Sequence, residues 1–346
     1  MADLKPNYAE KINNLLSVMP DFVQDFIYNF GDIDKLATKL EYCRDIKVFL
    51  SYSTKHIDAV KGKSIKKLTF EDLNQITSLD INRYLVYLAD DGKVKRKAST
   101  IKRKKATIAC MYNYFLSAGL VIRNPVSTAR RVKAPEKPII YLTDEEQILL
   151  LETVKSGNGL AKRSYKQHYL YQARDTAMFL LLLDTGLRIS ELCNTNIEDY
   201  NLEDCSVVVL RKGGDSEIVY YSDETADSLK EYFDHQLSSF DEKPSDLAAF
   251  TTTKGNRLGV RECEYLVKKY AKACLPDKYA KISPHKIRSS FAMSFYSASN
   301  NNILLLQKKM HHKSITTTNI YAKAAEQDIK ESRMLLANRR KQIKST

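Results

Sequence analysis

The stretch Ala177-Met178-Phe179-Leu180-Leu181-Leu182-Leu183-Asp184-Thr185-Gly186-Leu187-Arg188-Ile189-Ser190-Glu191-Leu192 decides how this chain is read. Its first seven residues are the longest unbroken apolar run in the sequence. That is far too short to span a bilayer, and Thr176–Leu183 reads instead as a buried helix. A turn carrying Arg188 follows, with Ser190 and Glu191 supporting the turn rather than doing chemistry. Upstream, Leu142-Thr143-Asp144-Glu145-Glu146 opens a helix, with Thr143 as its cap and acids in the first turn. The polar, Tyr- and Lys-rich stretch Lys155–Arg174 reads as an extended loop. Downstream, the β-rich runs Ser206–Leu210 and Glu217–Tyr221 flank Gly213-Gly214-Asp215 and predict a hairpin. From Arg261 onward the pattern is helical. This half is mostly α with a small sheet.

The preceding half reads as helices alone: Tyr8–Ser17, Pro20–Asn29, Leu36–Ser53, Thr69–Ala89, and a basic helix whose apolar positions are Ile101, Ile108, Met111, Tyr112 and Phe115. Ser99 and Thr100 are its expected N-caps. Asn124-Pro125 marks the end of this bundle, and Ala129–Lys137, with Pro135 and then Pro138, fits an extended linker. The expected organisation is a helical bundle over 1–128, a linker over 129–142, a second domain over 143–323 and a terminal segment over 324–346. The fold class is mainly α with a small β-sheet, an all-α N-terminal bundle followed by an α+β domain.

Charge divides unevenly between the halves. The chain of 346 residues carries 55 basic and 42 acidic side chains, a net +13. Residues 1–142 hold 25 of the basic and 15 of the acidic ones, so they contribute +10 of that excess. Lys93, Lys95, Arg96, Lys97, Lys102, Arg103, Lys104 and Lys105 lie in thirteen residues without one acid. Cationic side chains at a helix start, together with backbone N–H groups and the positive end of the helix dipole, favour phosphate. The competing reading is a solvated helix face salt-bridged elsewhere. A hydrophobic content of 43% with only 11 Gly and 8 Pro excludes a disordered or collagen-like chain. Residues 1–10 show no basic-then-apolar leader, and the six cysteines form no CxxC pair, so no zinc ribbon or disulfide framework is expected. The expectation is a folded protein of the reducing cytoplasm, with a polyanionic partner and no membrane.

Four dispersed motifs sharpen this: Thr185–Leu192; Arg211-Lys212-Gly213-Gly214 at the hairpin tip; Ser283-Pro284-His285-Lys286-Ile287-Arg288; and Met310-His311-His312-Lys313-Ser314-Ile315-Thr316-Thr317-Thr318-Asn319-Ile320-Tyr321. The order Arg, Lys, His-x-x-Arg, His, then Tyr nine residues later resembles the tyrosine recombinase (phage integrase) family, most nearly the single-protein Xer-type site-specific recombinases. The resemblance covers essentially the whole chain. It implies a core DNA-binding domain before a catalytic domain, and a 3′-phosphotyrosyl intermediate formed by Tyr321. Arg188 and Arg288 would grip the scissile phosphate, a role suited to guanidiniums that bind bidentately and keep their charge. Lys212 would protonate the departing 5′ oxygen. His285 would accept the tyrosine proton or bind the phosphate, and His312 would donate to a non-bridging oxygen.

The same resemblance implies no cofactor and no metal, since cations replace it, and no ATP, since the covalent link conserves the phosphodiester energy. Its implied partner is a double-stranded DNA recombination site, bound by a homotetramer on two duplexes and resolved through a Holliday junction. The segment 324–346 would be exchanged between protomers; the alternative is an amphipathic helix folded on its own domain. Two positions depart from the family pattern. Met310-His311-His312 stands where Leu-Gly-His is usual, and Arg211 stands where glycine is common before the lysine, adding a candidate DNA contact. Xer-like dimer resolution is the first reading, because no arm-binding domain is visible before Tyr8. Integration or excision of a mobile element, a non-catalytic DNA-binding regulator and a type IB topoisomerase remain as alternatives. The target sequence, cis or trans cleavage and any accessory protein stay open.

Overall fold

The computed structural model describes residues 7–31, 35–90, 92, 94–133, 135, 138–211, 214–237 (235–237 as backbone), 247–252, 254–311 and 314–326. The expected site residues Lys93, Lys212 and His312 and the segment 327–346 lie outside the described residues. The chain divides into two compact units, Met1–Lys137 and Pro138–Thr346.

The first unit is a helical bundle: α1 (Tyr8–Leu16), α2 (Asp21–Asn29), α3 (Leu36–His56), α4 (Phe70–Gln75), α5 (Ser78–Ala89) and α6 (Ala98–Ser117). Helix α3 buries Leu40, Cys43, Ile46, Phe49 and Leu50 at three- and four-residue spacing. Its neighbours add an aromatic centre in which Phe22, Phe26 and Phe70 all pack on Phe115. The single helix expected over Thr69–Ala89 is two. Thr77 and Asp80 form a second capping box, each receiving the other's backbone N–H, and this restarts the chain two residues after α4 ends. Helix α6 starts earlier than expected. Lys97 is its N-cap, with no side-chain cap bond, and Ser99 and Thr100 lie in the first turn. Ala129 is buried in this unit's core, and the Arg130 N–H donates to Asn82 Oδ1.

Three cations of the basic run are held by oxygen atoms within this unit. Asp45 on α3 is fully buried and accepts from Arg103 Nη1 and Nη2 (2.5 and 3.0 Å), Lys104 Nζ (2.6 Å) and Thr107 Oγ1 (3.1 Å). Lys105 Nζ donates to the carbonyls of Ala129 and Arg130, both at 2.9 Å. These three cations, expected on the DNA, hold helices and chain together in this structure. Arg96 donates to the Leu88 carbonyl, while Lys95, Lys97 and Lys102 are exposed.

The second unit contains α7 (Asp144–Ser156), α8 (Lys162–Lys166), α9 (Gln172–Thr185), α10 (Ile189–Cys193), β1 (Tyr200–Asn201), β2 (Ser206–Leu210), β3 (Ser216–Tyr220), α11 (Asp223–Glu231), α12 (Val260–Cys274), α13 (Pro284–Ala298) and α14 (Ile303–Lys309). Residues 315–326 are again helical. The sheet is antiparallel in the order β1-β2-β3, with Val209 opposite Glu217. Val207 and Val209 face the core, and Val208 and Leu210 face out. Helix α9 is the central element, with Ala177–Leu182 all buried. The expected loop Lys155–Arg174 is instead short helical turns leading into α9. They are anchored by His168, whose ring is buried under Gly157 with Nε2 2.8 Å from the Val154 carbonyl oxygen. Among the described residues no helix is long and apolar enough to cross a membrane.

Candidate active site

The site begins where α9 stops. Gly186 takes the left-handed backbone that ends the helix (φ 60°, ψ 26°), and its N–H returns to the Leu182 carbonyl at 3.0 Å. A β-carbon there would collide with the Phe291 ring of α13. Glycine thus turns the chain and lets it lie flush on α13. Two residues on, Arg188 is the N-cap of α10. Its backbone N–H donates to Glu191 Oε2 (2.9 Å) and its Nη1 to Glu191 Oε1 (2.7 Å). The Arg188 side chain stays 37% exposed while its carboxylate partner is buried. Burial alone would raise the Glu191 pKa. The hydrogen bonds from Arg188 and the charges of Arg211 and Arg188 outweigh it and hold the carboxyl below its ordinary range.

The N-terminus of α13 supplies the next groups. Ser283 is the N-cap and Pro284 fills the first position, where its missing N–H costs no bond. His285 is exposed, whereas Arg288, one turn further, is buried. Arg288 Nη1 donates to the Gly186 carbonyl and Nη2 to the Met310 carbonyl (2.5 Å). One side chain therefore joins the Arg188 turn, α13 and the end of α14, and its remaining N–H donors are not used by these bonds. Burial, then the neighbouring Arg188 charge, lowers the Arg288 pKa to about 10, which still leaves it charged at neutrality. Desolvation, then the charges of Lys286, Arg288 and Arg188, pushes His285 below the usual imidazole value, so it is neutral at pH 7.

Tyr321, on the helix after α14, is 2% exposed in a cluster with Phe291, Met293, Tyr296, Leu306 and Met310. Burial raises its phenol pKa, against the opposing pull of a side-chain hydrogen bond with Ser289 and of the Arg288 charge. The structure thus gathers Arg188, His285, Arg288 and Tyr321 around one turn. Ser289, next to Arg288 on α13, was not singled out in the sequence, since a lone serine in a helix gives no signal.

The hairpin meets this site through its base. The Arg211 N–H donates to the Asp215 carbonyl (2.8 Å) and the Gly214 N–H to the Arg211 carbonyl (3.0 Å). The Arg211 side chain, expected as a DNA contact, is only 9% exposed. Its Nη1 pairs with Glu191 Oε2 (2.6 Å) and its Nε with Glu217 Oε2 (2.5 Å). His311, which stands where the family pattern has glycine, is paired through Nε2 with Glu217 Oε1. Two carboxylates hold the Arg211 guanidinium, which is why it does not point outward, whereas the His311 side chain stays exposed beside Glu217. Among the described residues no group of three His, Cys, Asp or Glu side chains is disposed to hold a metal ion.

Comparison with known proteins agrees with this geometry. Residues 160–328 match the phage integrase family. The chain is 26% identical over 325 residues to the tyrosine recombinase XerC of Caldanaerobacter subterraneus, covering 90% of this chain and 86% of that protein. It is 28% identical over 319 residues to the XerC of Leptospira interrogans, covering 89% and 96% respectively. Its fold is like that of the Tn1549 transposon integrase solved with circular intermediate DNA, with a TM-score of 0.63 at 19% identity over 90% of this chain and 99% of that one. With an arginine pair, a histidine and a buried tyrosine converging inside the matched region, residues 160–328 form a phage integrase domain, and the chain is similar over most of its length to tyrosine recombinases of the Xer type.

Proposed function

We propose that this chain is a tyrosine recombinase that acts on a specific double-stranded DNA site, attacking the scissile phosphate with Tyr321 and resolving a Holliday junction within a homotetramer, in the manner of Xer-type dimer resolution. The observation that carries this reading is the bridging of three chain segments by Arg288 beside Arg188 and Tyr321. The transition state concentrates charge on the non-bridging phosphate oxygens. Arg188, whose side chain is partly exposed, and the remaining donors of Arg288 are suited to bind it. The Tyr321 phenol is held protonated by burial and loses its proton as its oxygen bonds to phosphorus. Neutral His285 is the acceptor closest to hand in chemistry. The P–O5′ bond breaks, the leaving oxygen takes a proton in the role assigned to Lys212, and His312 donates to a non-bridging oxygen. The 5′ hydroxyl of a second strand then attacks the phosphotyrosine and releases Tyr321, so the count of phosphodiester bonds is unchanged.

The test starts from a duplex recovered by binding selection from a randomised pool and mapped by footprinting. With a nick beside the cleavage point, the wild-type chain accumulates a covalent DNA adduct that survives denaturant, and Tyr321→Phe forms none. Absence of adduct from the wild type on a bound, footprinted site overturns the catalytic reading. With two intact sites, branched DNA intermediates and a tetramer-sized complex in sedimentation are the expected products; simple relaxation of plasmids lacking the site points to topoisomerase activity instead.

A further inference from the structure

The two positions at which this chain departs from the recombinase pattern, Arg211 and His311, meet on the same carboxylate. Glu217, on β3, takes Arg211 Nε on one oxygen and His311 Nε2 on the other. Arg211 in turn reaches Glu191, and Glu191 holds Arg188. An unbroken line of carboxylate contacts therefore runs from the Arg188 turn, through the hairpin base, to the turn after α14. That last turn is under a conformational demand. His311 has φ +48°, a left-handed backbone that a β-carbon disfavours and glycine adopts freely. The preceding residue, Met310, is fixed through its carbonyl by Arg288. The helix that carries Tyr321 begins four residues further along the chain, at Ile315.

Resting on the recombinase reading above, we propose that Glu217 is a positioning residue: by holding Arg211 and His311 together it sets the 310–311 turn against the hairpin base, and with it the placement of Tyr321 relative to Arg188 and Arg288. Glu217 does not touch the reacting atoms in this role. It acts through the turn, so it governs the rate of phosphodiester attack more than the affinity for DNA. A misplacement of the nucleophile by about an ångström costs on the order of a hundredfold in rate.

The test is a double-mutant cycle on the nicked duplex described above. Glu217→Gln keeps size while removing charge. His311→Gly removes the side chain and relieves the backbone, so it retains the fold. Single-turnover adduct formation, DNA affinity and thermal unfolding are measured for each variant and for the pair. The expected result is adduct formation slowed about ten- to a hundredfold by either change. DNA affinity stays within about twofold of wild type, and the double variant is no slower than the slower single one. Wild-type rates in Glu217→Gln, rate losses that multiply in the double variant, or losses that track DNA affinity or melting temperature overturn the proposal. A wild-type chain that forms no adduct overturns the recombinase reading itself, which separates the two failures.

Discussion

Arg288 Nη2 donates to the Met310 carbonyl oxygen at 2.5 Å, so the arginine proposed to grip the phosphate also holds the end of α14, the element that precedes the helix of Tyr321. Arg288→Lys keeps a charge but cannot reach the Gly186 and Met310 carbonyls together. Adduct formation is expected to fall about a hundred- to a thousandfold. Each carbonyl left unpaired costs about 1–3 kcal/mol of stability. Single-turnover cleavage and thermal unfolding of the full chain check both, and a lysine variant with wild-type rate contradicts the assignment.

His285 gives the expected pH dependence. Its imidazole titrates below the ordinary value of about 6.5. As acceptor of the Tyr321 proton it must be neutral, so the cleavage rate rises with pH through that depressed value and is level at neutrality. Stability has the same sign. Between the folded and unfolded values the unfolded chain binds more protons, so the fold loses stability as pH falls through the window and gains none above it. A pH–rate profile of adduct formation that loses its acid limb in His285→Gln is the expected result; an unchanged limb assigns the titration elsewhere.

Gly186→Ala puts a β-carbon on a left-handed backbone and into the Phe291 ring. The backbone costs about 1–2 kcal/mol and the overpacking about 1–3 more. Because the Gly186 carbonyl also receives Arg288, cleavage falls together with stability. Denaturant unfolding of Gly186→Ala and of Gly186→Ala with Phe291→Leu separates the two contributions, since only the steric one is relieved in the pair.

Asp45→Asn leaves Lys104 buried without a charged partner. Breaking such a pair on one side is expected to cost about 3–5 kcal/mol. Replacing Lys104 by Met in the same chain recovers most of that loss. Thermal unfolding checks the series; equal stability of Asp45→Asn and wild type shows that the pair is already solvated.

The hairpin was legible because alternating Ser206–Leu210 faces a β-rich partner across a glycine turn, and β2 has the bounds its pattern predicts. Strand β3 starts one residue early, since Ser216 pairs with Leu210 although serine carries little strand preference. Strand β1 has two residues, too few for any period to show. The Thr77 capping box was readable in principle, but Leu73, Ile76 and Leu79 continue a three-residue apolar spacing across the break and hide it. Arg188, His285, Arg288 and Tyr321 stood out by order along the chain. The carboxylates that engage their neighbours did not. Glu217 is one acid on a strand, and Asp45 lies 58 residues from the arginine it holds. Long-range ion pairs leave no periodic trace.

The burial of Asp45 bears on ionic strength. Salt weakens binding to a polyanion in proportion to the cations that displace counterions from its phosphates. Lys104 is enclosed, Arg103 shares Asp45, and Lys105 faces carbonyl oxygens. Where this run meets a phosphate backbone, the steepness of the salt titration is therefore set by exposed groups such as Lys95, Lys97 and Lys102, and it is shallower than the number of cations written in the sequence would give.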